Sequence, residues 1–313
     1  KANKDAVHEE KEHPYELIII DADTPVFRAS KFVQEDYVNV THIKTGKVQE
    51  FKTKSEFHGR DKLMTGGWLG DVNAKRIDEG KSLIPVTSFT IEPHTRLLGD
   101  IEDHIAEGLK TFDFFIGNIK GMDLAPTYKL LVGGSDNFRY DVAQTTAYKG
   151  QRPEKPLLFN EIKEAILDKY GKYIEVVEGK EVDDEMAVYG AYNLEQFKAT
   201  GSYPYILSYI DKDLNMIQGP HNNYDKPNDP VEVSDEFEAM AFYCKQLLCG
   251  DKSVDNIMGL PDLSGHLREL HGVRKGNSIG DATAINYLKS SETIKEMCKR
   301  VVEAYRGYYS SKK

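Results

Sequence analysis

Four clusters of carboxylates carry the chemistry open to this chain. Asp21 and Asp23 follow the apolar run Ile18-Ile19-Ile20. Glu181, Asp183 and Asp184 stand together, as do Asp211 and Asp213, and Asp251 and Asp255 close the series. A single Asp136 precedes Phe138-Arg139. Taken singly, each group has an ordinary reading: Asp183-Asp184 as a helix start, Asp211 and Asp213 as turn residues. Gathered in one pocket they repel one another, and a cation is needed to keep them ionised. An oxygen-only donor set suits hard divalent ions, magnesium first and manganese as its substitute. A pair of such ions is a common device for cutting phosphodiesters.

The elements around these acids read as an α/β fold. Residues 17–20 are a continuous apolar run ending in acid, the mark of a buried parallel strand. Further strands are expected at 129–132, 174–177 and 205–210, and a β-hairpin over 37–53 around Thr45-Gly46. Helical periodicity covers 93–112, with Leu97, Leu98, Ile101, Ile105 and Leu109 on one face, and then 157–170, 183–192, 237–248, 282–288 and 291–305. Residues 54–95 read as an ordered, irregular insertion, with Trp68 as a packing residue. Alternating strands and helices imply a parallel sheet, and ligands in such sheets sit at the carboxyl ends of strands, where the acids fall.

The chain has 313 residues, 40% hydrophobic and 29% charged, enough for one large domain or two modest ones. Residues 1–14 are polar and charged and read as a flexible arm. No apolar run is long enough for a membrane span and no signal-peptide pattern is present, so no membrane partner is expected. Cys244, Cys249 and Cys298 show neither zinc spacing nor a disulfide framework, which suits a reducing cytoplasm. The net charge of −10 argues against nucleic acid unless the cations are local. Two basic groups meet that condition: Lys149, Arg152 and Lys155, and Arg268, Arg274 and Lys275.

Two families compete for these motifs. The haloacid-dehalogenase phosphatases have a strand ending in Asp-x-Asp and a later Gly-Asp-x-x-x-Asp. Asp21-Ala22-Asp23 and Gly250-Asp251 to Asp255 resemble both, with Ser208 and Lys245 between them. Pro25 stands where that pattern has Thr or Val, and Asp136, Glu181, Asp183 and Asp213 are left without a role. The chain resembles the 5′-nuclease family more fully. That family includes phage 5′–3′ exonucleases, phage RNase H, the 5′-nuclease domain of bacterial DNA polymerase I and the flap endonucleases. The matching residues are Asp21 with Phe27-Arg28-Ala29, Asp136-Asn137-Phe138-Arg139, Tyr148-Lys149-Gly150-Gln151-Arg152, Glu181-Val182-Asp183-Asp184, Asp211-Lys212-Asp213-Leu214, and Gly250-Asp251 through Asp255-Asn256-Ile257-Met258-Gly259. They run in family order across about residues 17–290. Two departures stand out: one extra residue between Asp251 and Asp255, and ten residues between Pro261 and the presumed DNA-binding hairpin at 272–280.

The resemblance implies a PIN-like parallel sheet flanked by helices over 15–240, with the insertion at about 38–95 and a helical arch at about 140–165. A helix-three-turn-helix DNA-binding module is implied for 241–313. It further implies a magnesium-dependent 5′–3′ exonuclease or flap endonuclease, acting in primer removal or DNA degradation. The substrates would be DNA with 5′ ends or flaps, and RNA in RNA–DNA hybrids; for a phage-encoded enzyme the setting is the host cytoplasm. Asp21, Asp136, Glu181 and Asp183 would hold one ion, and Asp184, Asp211, Asp213, Asp251 and Asp255 the second. Lys149 and Arg152 would be catalytic. Arg28, Arg139, Tyr148, Lys155, Gly272, Arg274, Lys275, Gly276 and Gly280 would touch DNA, with a potassium ion at the hairpin. A third reading, a catalytically inactive structure-specific DNA-binding protein, sits poorly with so complete a set of acids.

Overall fold

A computed structural model describes residues 12–31, 33–60, 66–142, 154–250, 258–274 and 278–310. The chain divides into two compact units, one formed by 1–24, 115–154 and 170–313, the other by 25–114 and 155–169. Both are mixed α/β.

In the first unit, β1 (Leu17–Asp21) is the apolar run expected from the sequence, and Ile18, Ile19 and Ile20 are buried on both faces of the sheet. α1 (Asp23–Lys31) leaves its end and carries the chain into the second unit.

The second unit holds an antiparallel sheet of β2 (Gln34–His42), β3 (Val48–Phe51) and β4 (Phe89–Leu97), in the order β3-β2-β4. α2 (Lys54–His58) and α3 (Gly67–Asp78) lie between β3 and β4 in the chain. Val38, Val40, Phe51, Phe57 and Leu69 form the core here, with Trp68 and Phe89 packed against it. Trp68 is thus a packing residue, as read from the sequence. Gly46 takes φ 66° at the β2–β3 turn, where the hairpin was expected.

Residues 54–95 and 93–112 depart from the irregular insertion and the helix expected there. The irregular insertion contains two helices and a nine-residue strand, and Pro93 and Leu97 belong to that strand. β4 pairs with β2 along its full length, and proline is tolerated because β4 is an edge strand. α4 (Ile101–Gly121) starts eight residues later than the periodicity suggested and runs nine residues further.

The first unit resumes with the end of α4, then β5 (Tyr128–Gly133) and the short α5 (Arg139–Val142). α6 (Phe159–Tyr170) belongs almost wholly to the second unit. β6 (Ile174–Val177), α7 (Val182–Thr200), β7 (Tyr205–Ser208), β8 (Gly219–Asn222) and β9 (Glu232–Ser234) complete a six-stranded sheet in the order β6-β5-β1-β7-β8-β9. Only β9 is antiparallel within it. The mostly parallel central sheet flanked by helices agrees with the fold expected. β8 and β9 were not legible: Gly219-Pro220-His221-Asn222 carries turn-forming residues, yet all four are buried.

α7 packs on the sheet through Val182 and Met186, which meet Ile19, Leu131, Val177 and Leu207. Its Gly190 passes so close to the chain that a Cβ there would lie 2.2 Å from Ile217 Cγ2. α8 (Glu236–Cys249), α9 (Gly265–Leu270), α10 (Asp281–Leu288) and α11 (Ile294–Ser310) share a core that includes Cys244, Leu248, Leu267, Val273, Tyr287 and Val301. Among the described residues no helix is long and apolar enough to cross a membrane.

Candidate active site

The sheet order explains why distant acids meet. β1 lies between β5 and β7, so the chain builds outward on one side of β1, then returns and builds on the other. Crevices in parallel sheets open at such switch points, beyond the carboxyl ends of the strands. Asp21 is the last residue of β1, in register with Leu131 of β5, and its neighbour Ile20 pairs with Ser208 of β7. Asp136 follows β5, Glu181 and Asp183 follow β6, and Asp211 and Asp213 follow β7. The acids therefore come from four adjacent strands.

Asp21 is the buried member of this group, 5% exposed. Burial pushes its carboxyl up to about 8, and the charges of Asp23, Asp183 and Asp211 push in the same direction. One hydrogen bond opposes them, donated by Asp23 N to Asp21 Oδ1 at 3.1 Å. Asp23 is itself tied to β5, since its Oδ1 accepts from Gly133 N at 2.8 Å. Asp211 caps the turn after β7 by accepting from Asp213 N at 2.9 Å. Asp213 in turn accepts a hydrogen bond from the Gln246 side chain of α8.

A second group lies at the start of α7. Arg139 forms a two-pronged pair with Asp184, at 2.5 and 2.8 Å, and its Nε lies 3.6 Å from Glu181. Asp184 also accepts from Glu181 N at 3.0 Å, closing the helix cap. The Arg139 guanidinium holds the Asp184 carboxyl below the usual range, burial opposing and the Glu181 amide assisting. Asp136 accepts from Asn137 N at 2.8 Å, and Asn137 from Arg139 N at 2.9 Å, so this short loop presents Arg139.

Arg139→Leu is expected to destabilise the metal-free protein by about 1.5–3 kcal/mol at pH 7, the usual range for charged hydrogen bonds. Because the Asp184 pKa is depressed by folding, its contribution is present above pH ~4 and disappears as pH falls through the folded value. Urea midpoints of the variant and the natural protein should therefore differ at pH 7 and converge as pH falls through the folded value. Equal midpoints at pH 7 would mean that the pair contributes nothing.

Two groups were missed by sequence reasoning. Glu178, in the Glu178-Gly179 turn after β6, accepts from Ser135 N at 3.2 Å and lies where a Cβ on Gly134 would be. Its position directly after a strand was the available signal. Gln246 has no motif around it. One basic group is corrected: Arg268 is not a surface cation but 5% exposed, bonded to Asp262 and to the carbonyls of Arg274 and Ser278. It braces Arg274 and Ser278 from within.

Of the other expected contact residues, Arg274, Gly272 and Gly280 are exposed. Lys155 lies over the Phe159 ring at 4.5 Å, and Arg28 is on α1 in the second unit. Tyr148, Lys149, Arg152, Asp251, Asp255, Lys275 and Gly276 fall outside the described residues, as do 143–153 of the expected arch and most of the amino-terminal arm. Among the described residues no three Asp, Glu, His or Cys side chains form a ready coordination shell. The donor chemistry nonetheless fits a hard cation. Asp21, Asp23, Asp183 and Asp211 are all oxygen donors, the last three close enough to disfavour the ionisation of Asp21, and positive charge would relieve that.

No family model matches this sequence, and no curated protein matches it. Solved structures similar to it include three from bacteriophage T5. A 5′-exonuclease mutant is 14% identical, with 64% of this chain and 80% of that chain covered and a TM-score of 0.35. A T5 protein co-crystallised with metal ions is 15% identical, with 65% and 83% covered and a TM-score of 0.37. A T5 flap endonuclease in a pseudo-enzyme–product complex with DNA and metal ions is 15% identical, with 64% and 91% covered and a TM-score of 0.35.

Proposed function

We propose that this chain is a metal-dependent nuclease that hydrolyses phosphodiesters of DNA at 5′ ends and flaps, with RNA in RNA–DNA hybrids as a further substrate. The observation that carries the reading is the crowding of Asp21 with Asp23, Asp183 and Asp211 beyond adjacent parallel strands. The motif order supports it, since each of these acids except Asp23 stands in a block matching the 5′-nuclease pattern.

Asp21, Asp136, Glu181 and Asp183 would hold one magnesium ion, and Asp211, Asp213, Asp251 and Asp255 the other, with the orientation of Asp184 set by Arg139. Bound magnesium lowers the pKa of water and stabilises a leaving oxygen. The chain's own share is positional and electrostatic. The strand ends hold the carboxylates in place, and Lys149 and Arg152 donate to the phosphate as its charge develops. Tyr148 offers a ring for a terminal base. Arg274 and Lys275, beside Gly272, Gly276 and Gly280, grip duplex phosphates without reading sequence, with potassium at the same loop. Lys155 and Arg28 are further cations offered to DNA phosphates.

Two observations speak against the phosphatase alternative. It needs Ser208 and Lys245 at the reacting centre, but Ser208 is fully buried and Lys245 is paired with Asp281 at 3.0 Å.

Asp213→Asn tests the assignment. Cleavage in magnesium should be lost, while duplex binding in calcium should be unchanged or tighter, because a repelling charge is removed. Cleavage at the natural rate would remove Asp213 from the site.

A further inference from the structure

Gln246 is a polar residue where packing alone would favour an apolar one. It sits in α8, 3% exposed, two residues from the core residues Cys244 and Leu248 on either side. Its Nε2 donates to Asp213 Oδ1. This orientation is dictated by chemistry, since only the amide nitrogen can face a carboxylate. The cost falls on the other end of the amide: Oε1 is buried and has no hydrogen-bond partner among the described residues. A buried polar atom left unpaired is unfavourable, and methionine would fill the same space without it.

The helical turn that carries Gln246 is anchored on its other sides. Lys245 Nζ pairs with Asp281 of α10 at 3.0 Å, and Leu247 O accepts from Tyr305 of α11 at 2.7 Å. Gln246 is therefore held by the carboxy-terminal helices and points at the turn after β7, where Asp213 sits. A hydrogen bond from a rigid element to a carboxylate fixes the plane in which that carboxylate meets a cation.

We infer that Gln246 is a positioning residue, through which the carboxy-terminal helices hold Asp213 in the orientation that binds metal. The inference rests on the nuclease reading, and it assigns the helices a role at the metal site as well as on DNA.

The test compares the natural protein, Gln246→Met, Asp213→Asn and the double variant, without DNA, by manganese titration followed by electron paramagnetic resonance. Gln246→Met should bind manganese about 10–100-fold more weakly, the usual loss when a ligand's supporting hydrogen bond is removed. Its metal-free melting temperature should be equal or higher. At saturating DNA, magnesium in excess should restore its cleavage rate. In the Asp213→Asn background the same change should cost no further affinity, which a merely structural role would not produce. Gln246→Leu repeats the comparison should the methionine variant fold poorly. Manganese affinity within about twofold of the natural protein's, or fully additive losses, would overturn the inference. If the natural protein binds manganese no better than Asp213→Asn, the assignment of Asp213 to a metal falls first, and the inference falls with it.

Discussion

Asp21→Asn is expected to abolish magnesium-dependent DNA cleavage while stabilising the metal-free protein by about 2–4 kcal/mol at pH 8. The two effects have one cause. Burial first, and then the charges of Asp23, Asp183 and Asp211, push the Asp21 carboxyl up to about 8. A carboxyl whose pKa is raised by folding binds its proton more tightly in the native state. Native stability is then fully present below the unfolded pKa and declines as pH rises toward the folded one. The metal-free natural protein should lose stability between about pH 4 and pH 8 from this residue, and added magnesium should restore it. Asparagine has no charge to lose, so the variant should show neither the decline nor the full magnesium response. Thermal melts in EDTA and in magnesium, from pH 5 to pH 8, would measure both. A natural protein whose metal-free stability is flat across that range would show that the acids are not crowded.

Lys149→Ala is expected to slow single-turnover cleavage by about 10²–10³-fold, the loss of one transition-state donor. The motivation is the run Tyr148-Lys149 with Arg152, which follows Asp136 and Arg139 in the chain. DNA affinity should change much less, since one phosphate contact contributes only part of a distributed electrostatic footprint. Rapid-quench measurement at saturating DNA separates the two. An unchanged rate under saturation would leave Lys149 no part in the chemistry.

The strands that carry the site were legible because burial writes itself plainly into parallel strands. Leu17 through Ile20 could hardly be anything else, and the acid after it marks the carboxyl end. α7 was legible for a related reason: Glu181 to Glu185 place charge where a helix start favours it. The second unit was less so. Phe89 to Leu97 mixes strand alternation with a proline and then joins a helical pattern, so periodicity alone drew the helix across both. β8 is built from Gly, Pro, His and Asn and was hidden because its burial comes from its neighbours, not its composition.

Side-chain pairings were the least legible. Asp184 and Arg139 stood as a metal ligand and a DNA contact by motif, and the structure binds them to each other. Arg268 stood as a surface cation beside Arg274, and its burial follows from a loop whose carbonyls need a donor. Gln246 gave no signal because its partner lies 33 residues away. Such contacts depend on tertiary placement, which residue type and spacing do not encode locally.

The central claim is that the clustered acids cut phosphodiesters of DNA at 5′ ends. The most direct measurement is digestion of 5′-labelled flap, nicked and blunt duplexes in magnesium and in EDTA, with para-nitrophenyl phosphate assayed alongside. The account predicts magnesium-dependent release of short 5′ products or excised flaps, loss of that release in Asp21→Asn, and no turnover of the small phosphomonoester. Turnover of para-nitrophenyl phosphate with all three DNAs left intact would contradict it and favour the phosphatase reading.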